Sequence, residues 1–450
     1  MLTEQQIAAV EAFRKGNSFA LRAVAGSGKT HTLVQCMQHP IPNTLCLAFN
    51  KKNADDLQKK MPDTVTSSTM NALGHRTWRK HITRQVIVQA DKLVDLLKNS
   101  PFKNELGENF MNVIQLTRLA KTSGIPSGWN TKNPDKSTWL DIADDFDIDN
   151  AEELLPYSSW LLQESCRTAF QGLIDYDDQL YMPVTYGSPF TKFNCIAVDE
   201  AQDLSPLQHK MVERSLAQNG QIVIVGDPNQ AIYAWRGASD SSFFDLVEKF
   251  SLPIMPLTVS FRCPRAVVQE AKKYVPDIEA ASDVEGSVKT TNLEIEPGLN
   301  KTVLSRTNAP LIRLAFRGIK SGIAVNYSGK DFLFGIKALF KKCRSIPDLE
   351  RWRDAEIAKT NKTGKISRIM DKYEAAVALF ESGDPLGTLT KMSQTPRERS
   401  MGLSTIHKAK GDEWDNVVYL NYEQTDPVGQ EANIKYVGVT RAKANLLLQT

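Results

Sequence analysis

Apolar positions along this chain follow two rhythms. In the first, a short β-branched run is followed by a turn and a helix-like segment, as at Phe19–Val24, Thr44–Phe49, Phe193–Val198, Gln221–Val225, Thr302–Ser305 and Asn416–Leu420. Runs this short and this continuously apolar read as strands buried on both faces. Their alternation with helical segments predicts an α/β fold built on parallel sheets. In the second rhythm, residues 85–175 are polar and helix-like, with an acidic stretch from Asp141 to Glu153, and residues 330–400 carry many charges and few strand signals. Both predict helical insertions, the acidic stretch being a solvated face. Pro253–Pro256 and the stretch from Asp277 to Pro297 read as linkers.

Composition narrows the class. A chain of 450 residues exceeds one ordinary core and implies two or more domains. With 41% hydrophobic and 24% charged residues it has the balance of a globular protein. No apolar run approaches the roughly 20 residues needed to span a bilayer, and the N-terminus lacks a signal-peptide pattern, so a cytoplasmic protein with no membrane partner is expected. Cysteines 36, 46, 166, 195, 263 and 343 are scattered without a C-x-x-C pair, which argues against a disulfide framework or a zinc site. The net charge of +3 is small, so any affinity for nucleic acid must come from local patches.

Two motifs carry chemistry. Ala23-Val-Ala-Gly-Ser-Gly-Lys-Thr30 lies between an expected strand and an expected helix that ends near Pro40. Glycines 26 and 28 allow backbone N–H groups to turn inward around phosphate oxygens at a helix N-terminus. Lys29 is placed to reach the β- and γ-phosphates and Thr30 to bind Mg²⁺. The plain alternative is a Gly/Ser turn, and Ala23 stands where the generic pattern has its first glycine. Ile196-Ala-Val-Asp-Glu-Ala-Gln-Asp203 sets Asp199 and Glu200 at the end of an apolar run. Asp199 can hold Mg²⁺, directly or through water, and Glu200 can polarise the water that attacks the γ-phosphate. Alone, such a pair is as well explained by a strand end or helix cap.

A third stretch, Val225-Gly-Asp-Pro-Asn-Gln-Ala-Ile-Tyr-Ala-Trp-Arg-Gly-Ala238, taken with Val198–Asp203, resembles motifs III and II of superfamily 1 helicases of the UvrD/Rep branch. Further resemblances follow in order along the chain. Leu2–Val10 is similar to the Q motif, Phe49–Lys52 and Thr69–Asn71 to motifs Ia and Ib, and Ile174–Asp178 to the short acidic motif before motif II. Thr258–Arg262 is similar to motif IV, Leu403–Glu413 to motif V and Tyr436–Ala442 to motif VI.

The resemblance implies two RecA-like P-loop domains with parallel sheets plus helical insertions, and ATP hydrolysed with Mg²⁺ in the cleft between the domains. On this pattern the first domain comprises 1–84 and 176–252 with insertion 85–175, and the second comprises 253–329 and 401–450 with a reduced insertion at 330–400. Lys29, Asp199, Glu200, Gln230, Arg262 and Arg441 are the expected catalytic set, Gln230 sensing the γ-phosphate and the two arginines neutralising its developing charge. The nucleotide is expected to meet Gln6, Ala25, Gly26, Ser27, Gly28, Lys29, Thr30 and His31. Phe261 would stack on adenine and Glu413 would face the ribose, with Gly411 also among the nucleotide-binding residues.

A motor holds its track without reading sequence, and aromatic faces suit that because every base offers a π-surface. Phe49, Tyr233 and Trp235 match stacking positions of the family, with Arg236 beside them. Thr69, His75 and His407 match phosphate or sugar contacts, supported by the basic run Arg76–Arg84, which reads equally well as a solvated helix face. The implied activity is 3′-to-5′ DNA helicase or translocase action by a monomer on single-stranded DNA and its junctions with duplex, with a protein loading partner possible. A nucleic-acid-gated regulatory module and an RNA track are the rival readings. A P-loop kinase leaves motifs V and VI unexplained. The chain departs from the family pattern in its short interval between Arg262 and Leu403, in Asn71, and in Ala432 and Asn433 where arginines are usual. No nuclease domain is expected beyond motif VI.

Overall fold

The computed structural model describes residues 2–39, 41–128, 135–146, 148, 150–233, 241–394, 400–422 and 429–450. Contacts divide the chain into two compact units, Met1–Ala23 with Gly28–Leu257, and Val24–Ser27 with Thr258–Thr450. Each holds a parallel sheet, six-stranded among the described residues.

Strands of the first unit are β1 (Phe19–Ala23), β2 (Thr44–Ala48), β3 (Val65–Thr69), β4 (Ile87–Val88), β5 (Leu173–Ile174), β6 (Phe193–Val198), β7 (Leu216–Gly226) and β8 (Ile254–Leu257). The main sheet runs in the order β3-β2-β6-β7-β1-β8, and β4 and β5 form a separate pair. Successive side chains of a strand point to opposite faces, so an uninterrupted apolar run feeds two cores. Ala20, Leu45, Leu47, Ile196, Val198, Ile222 and Ile224 enter one core. The intervening Leu21, Cys46, Cys195, Ala197, Val223 and Val225 enter the other, with Val10 and Phe13 of helix Glu4–Arg14 and Leu33 of helix Lys29–Met37. The first core continues into the helices Lys92–Lys98, Phe110–Ser123, Lys136–Asp145 and Ala151–Phe170.

That helical layer is joined to the turn after β5 and to helix Asp178–Thr185 by a buried ionic cluster. Lys92 Nζ lies 2.6 Å from Asp178 Oδ2, and Lys121 Nζ lies 2.7 Å from both Asp175 Oδ2 and Asp178 Oδ1. Lys92 also donates to the Ser165 carbonyl at 2.7 Å, and the backbone N–H of Asp178 donates to Asp175 Oδ1 at 2.7 Å. Burial pulls the Lys121 ammonium down, but Asp175 and Asp178 outweigh it and hold its pKa above the ordinary value. Burial pushes Asp178 up, and Lys121 with Lys92 reverse that.

The second unit contains β9 (Val259–Ser260), β10 (Glu279–Ala280), β11 (Ser287–Thr291), β12 (Thr302–Ser305), β13 (Val325–Tyr327), β14 (Met401–Thr405), β15 (Trp414–Tyr419) and β16 (Ala442–Gln449). Its main sheet runs β11-β16-β15-β12-β14-β13, and β9 pairs with β10. Helices Lys330–Leu339, Ile346–Ile357, Thr363–Phe380 and Pro385–Gln394 share one core with this sheet, in which Ile336, Leu349, Leu379 and Met392 meet Val303, Leu403 and Val418. Asp371 reaches from this layer to the start of helix Ala309–Lys320. It accepts the N–H groups of Asn308 and Ala309 at 2.8 and 2.7 Å and the Asn308 amide at 2.6 Å, so a side chain distant in sequence supplies the cap.

Two stretches expected as linkers are structured. Pro253–Pro256 overlaps β8, which pairs with β1; proline is tolerated there because an edge strand has one side with no ladder to satisfy. The segment from Asp277 to Pro297 contains β10 and β11. Among the described residues, no helix is long and apolar enough to cross a membrane.

Candidate functional site

In the first unit the C-terminal ends of β1, β7 and β6 lie side by side, and each delivers polar groups. The chain leaving β1 turns at Val24, whose carbonyl accepts the Ser27 N–H at 3.2 Å. Gly26 and Gly28 have φ of 73° and 77°, a left-handed backbone open to glycine at no steric cost, and Gly28 then caps helix Lys29–Met37. The result is a glycine-turned loop that leads directly into a helix N-terminus, the kind of setting that binds phosphate.

From β6 come the carboxylates. Asp199 is 5% exposed, and its Oδ2 lies 3.4 Å from Thr30 Oγ1. Burial, reinforced by Glu200, pushes the Asp199 carboxyl up to about 7 against the pull of Lys29. Glu200 carries an unusual left-handed backbone for a residue with a Cβ, φ 53°. Its Oε2 meets Lys29 Nζ at 3.1 Å and accepts from Gln202 Nε2 at 2.6 Å. Burial depresses the Lys29 ammonium, but Glu200, Asp227 and Asp199 together raise it, so it stays cationic. A cation at the end of this glycine-turned loop fits phosphate, and the paired hard oxygens of Thr30 and Asp199 fit Mg²⁺.

β7 contributes Asp227, whose Oδ2 accepts from Gln230 Nε2 at 2.6 Å and whose N–H donates to Gln202 Oε1 at 3.0 Å. Gln202 therefore ties the β6 carboxylate to the β7 loop. Neither Gln202 nor Asp227 was singled out from the sequence, although both lie inside the quoted motifs. Their adjacency to Glu200 and Gln230 was the available signal.

Other expected nucleotide contacts are placed as follows. Gln6 is buried and completes a capping box with Thr3, its Oε1 accepting the Thr3 N–H at 3.0 Å. Ala25 and Ser27 are buried in the loop, and His31 is exposed on the helix. In the second unit, Phe261 is 51% exposed and Arg262 Nε is paired with Glu413 Oε2 at 2.5 Å. Gly411 has φ 93°. Arg441 is 1% exposed and bonds the carbonyls of Val437 and Asp412 at 2.8 and 3.2 Å. Burial, with Arg262 nearby, pulls it down to about 10, still a cation at neutral pH.

Among the expected strand contacts, Phe49 is 38% exposed and its ring lies parallel to Tyr233, with centroids 5.9 Å apart and planes 6° apart. The Thr69 hydroxyl caps helix Met70–Ile82 by accepting from Ala72 N at 3.1 Å. On that helix Asn71 donates to the Tyr176 carbonyl at 2.9 Å, and His75 lies 3.5 Å from Gln179 Nε2. Burial, with Arg79 and Arg76, holds the His75 imidazole below its ordinary pKa. Tyr176 itself is 55% exposed, in the turn between the buried Asp175 and Asp178, and was not singled out from the sequence. His407 is half-buried on the short helix Ile406–Ala409 of the second unit. Trp235 and Arg236 lie outside the described residues.

A glycine-turned loop opening a helix, with an acidic pair two strands away and a glutamine–aspartate link between them, defines a P-loop nucleoside-triphosphate site. The UvrD/REP helicase N-terminal domain matches residues 2–251 and the UvrD-like helicase C-terminal domain matches residues 402–448. The chain belongs to the UvrD/REP helicase family. It is 26% identical to F-box DNA helicase protein 1 of Schizosaccharomyces pombe, over 99% of this chain and 57% of that protein. It is 23% identical to the ATP-dependent DNA helicase UvrD2 of Mycobacterium tuberculosis, over 57% of this chain and 47% of that protein. To the ATP-dependent DNA helicase Rep of Buchnera aphidicola it is 25% identical, over 56% of this chain and 42% of that protein. The chain thus spans about half the length of the curated relatives it matches.

Proposed function

We propose that the chain is a nucleic-acid-stimulated ATP hydrolase that translocates 3′-to-5′ along single-stranded DNA and separates duplex ahead of it. The observation that carries this reading is the convergence of Lys29, Thr30, Asp199, Glu200 and Gln230 at the ends of three adjacent strands. Thr30 and Asp199 would hold Mg²⁺, which supplies charge neutralisation at the phosphate oxygens. Lys29 exchanges Glu200 for the β- and γ-phosphates. That exchange frees the Glu200 carboxylate to orient and polarise the attacking water, while Gln202 keeps it in place. Gln230, held by Asp227, faces the γ-phosphate. Gln6 and Phe261 take the adenine, and Gly411 and Glu413 the ribose. Arg262 and Arg441 meet charge on the transferring group after leaving Glu413 and the backbone carbonyls.

For the track, Phe49 and Tyr233 supply base-stacking faces, joined on sequence grounds by Trp235 and Arg236. Thr69, His75 and His407 supply backbone contacts. The test is strand separation with Mg²⁺ and ATP on duplexes carrying a 3′ or a 5′ single-stranded tail. Unwinding of the 3′-tailed substrate alone is expected. Unwinding of the 5′-tailed substrate alone would reverse the assigned polarity. ATP hydrolysis with neither duplex opened would leave a strand-bound ATPase and remove the helicase activity.

A further inference from the structure

Behind the acidic pair lies a buried polar pair that the hydrolysis chemistry does not use. His209, on helix Pro206–Ser215, brings Nε2 to 2.8 Å from Ser242 Oγ, and Ser242 Oγ donates to the Ala201 carbonyl at 2.7 Å. A hydroxyl has one proton. With that proton on the Ala201 carbonyl, Oγ accepts from His209, which fixes the imidazole proton on Nε2. His209 is 7% exposed, and Ser242 and Ala201 are 0% exposed. Burial holds the imidazole below its ordinary pKa, with Asp245 opposing and Lys249 adding to the effect, so the ring is neutral at neutral pH.

Both ends of this relay attach to functional elements. Ala201 directly follows Glu200 and opens the turn Ala201–Asp203, whose Gln202 holds the Glu200 carboxylate. The left-handed backbone at Glu200 is held by its surroundings, because a residue with a Cβ does not favour it. Ser242 begins helix Ser242–Lys249, which packs against the turn Ala201–Asp203. Packing ties the same elements together at Gly226. A Cβ there would come within 2.6 Å of Gln202 Oε1 and 3.0 Å of Phe243 Cδ2, so a side chain at this position would displace both the turn's Gln202 and the helix's Phe243.

We propose that His209 and Ser242 are positioning residues for Glu200. They pin the Ala201 carbonyl and fix the backbone that aims the carboxylate. The proposal rests on the ATPase reading given above. Neither residue touches nucleotide or strand, and their effect falls on turnover rather than on binding.

The test uses the full chain, with Ser242→Ala and His209→Leu removing the relay and His209→Gln retaining an N–H donor of similar reach. Steady-state kcat and KM for ATP are measured with saturating oligothymidylate, and oligonucleotide affinity by fluorescence anisotropy. Loss of one buried hydrogen bond in the aiming of Glu200 predicts a kcat about fivefold to tenfold lower in Ser242→Ala and His209→Leu. KM and oligonucleotide affinity should stay within about twofold of wild type, and His209→Gln should keep most of the wild-type kcat. A wild-type kcat in Ser242→Ala overturns the proposal, as does equal impairment in His209→Gln and His209→Leu. If Ser242→Ala does not fold, the two His209 variants decide. A wild-type chain that hydrolyses no ATP overturns the functional reading and the proposal with it, and that result appears before any substitution is made.

Discussion

Replacing Lys121 by methionine keeps the length of the side chain and removes its charge from the buried cluster. Lys121 is fully buried with two carboxylates at 2.7 Å each, so the variant leaves Asp175 and Asp178 facing Lys92 alone. The cheapest escape is for one carboxylate to take a proton. At about 1.4 kcal/mol per pH unit, the roughly three units between an ordinary aspartate and pH 7 cost about 4 kcal/mol. That agrees with the roughly 3–5 kcal/mol typical of breaking a buried pair. At pH 5 the same protonation costs only about 1.5 kcal/mol. Burial pushes Asp175 up and Lys92 down, so the stabilising shifts of the wild type fall on Asp178 and Lys121. Asp178, with its pKa held low, contributes stability above its unfolded value and loses it as pH falls through the folded one. Lys121, with its pKa held high, contributes below its ordinary value and loses it only as pH rises beyond. Both contributions are therefore present from pH 5 to 8, and the deficit of the variant should grow with pH across that window. Urea unfolding of both proteins at pH 5, 7 and 8, followed by tryptophan fluorescence, measures it. A deficit under about 1 kcal/mol, or one equal at pH 5 and 8, would refute the reasoning.

Two further outcomes follow from individual contacts. Asp371→Ala removes the acceptor for the first N–H groups of helix Ala309–Lys320 and should destabilise the second unit by about 2 kcal/mol in the same unfolding assay; a change under about 0.5 kcal/mol would show that water replaces the cap. Phe49→Ala removes one of two parallel rings and should weaken oligonucleotide binding by about tenfold, equally for thymine-rich and adenine-rich strands. Affinity loss confined to one base would show hydrogen-bond reading instead of stacking.

The parts of the fold legible in the sequence are the ones buried on both faces. The six apolar runs correspond to β1, β2, β6, β7, β12 and β15, all interior to the two sheets. The four edge strands, β3, β8, β11 and β13, escaped, and so did the interior strands β14 and β16. Val65-Thr-Ser-Ser-Thr69 and Ser287-Val-Lys-Thr-Thr291 are polar because one side of an edge strand faces no partner, and Pro256 made β8 look like a break. The site divides in a similar way. Lys29, Thr30, Asp199 and Glu200 announce themselves through short local patterns, whereas Lys92 and Lys121 gain their meaning only from carboxylates more than fifty residues away. His209 and Ser242 are equally silent, since a lone histidine on a helix gives no sign of what lies opposite. Helical periodicity offers one clue: Lys121 shares the buried face of its helix with Val113, Thr117 and Ala120, an unusual place for an unpaired ammonium.

The central claim is that ATP hydrolysis at the Lys29–Glu200 site is driven by a nucleic-acid strand. Steady-state ATPase activity with and without single-stranded DNA, with Lys29→Ala as the blank, tests it most directly. The account predicts strong stimulation by DNA that disappears in the variant, whereas hydrolysis indifferent to DNA, or retained in Lys29→Ala, would contradict it.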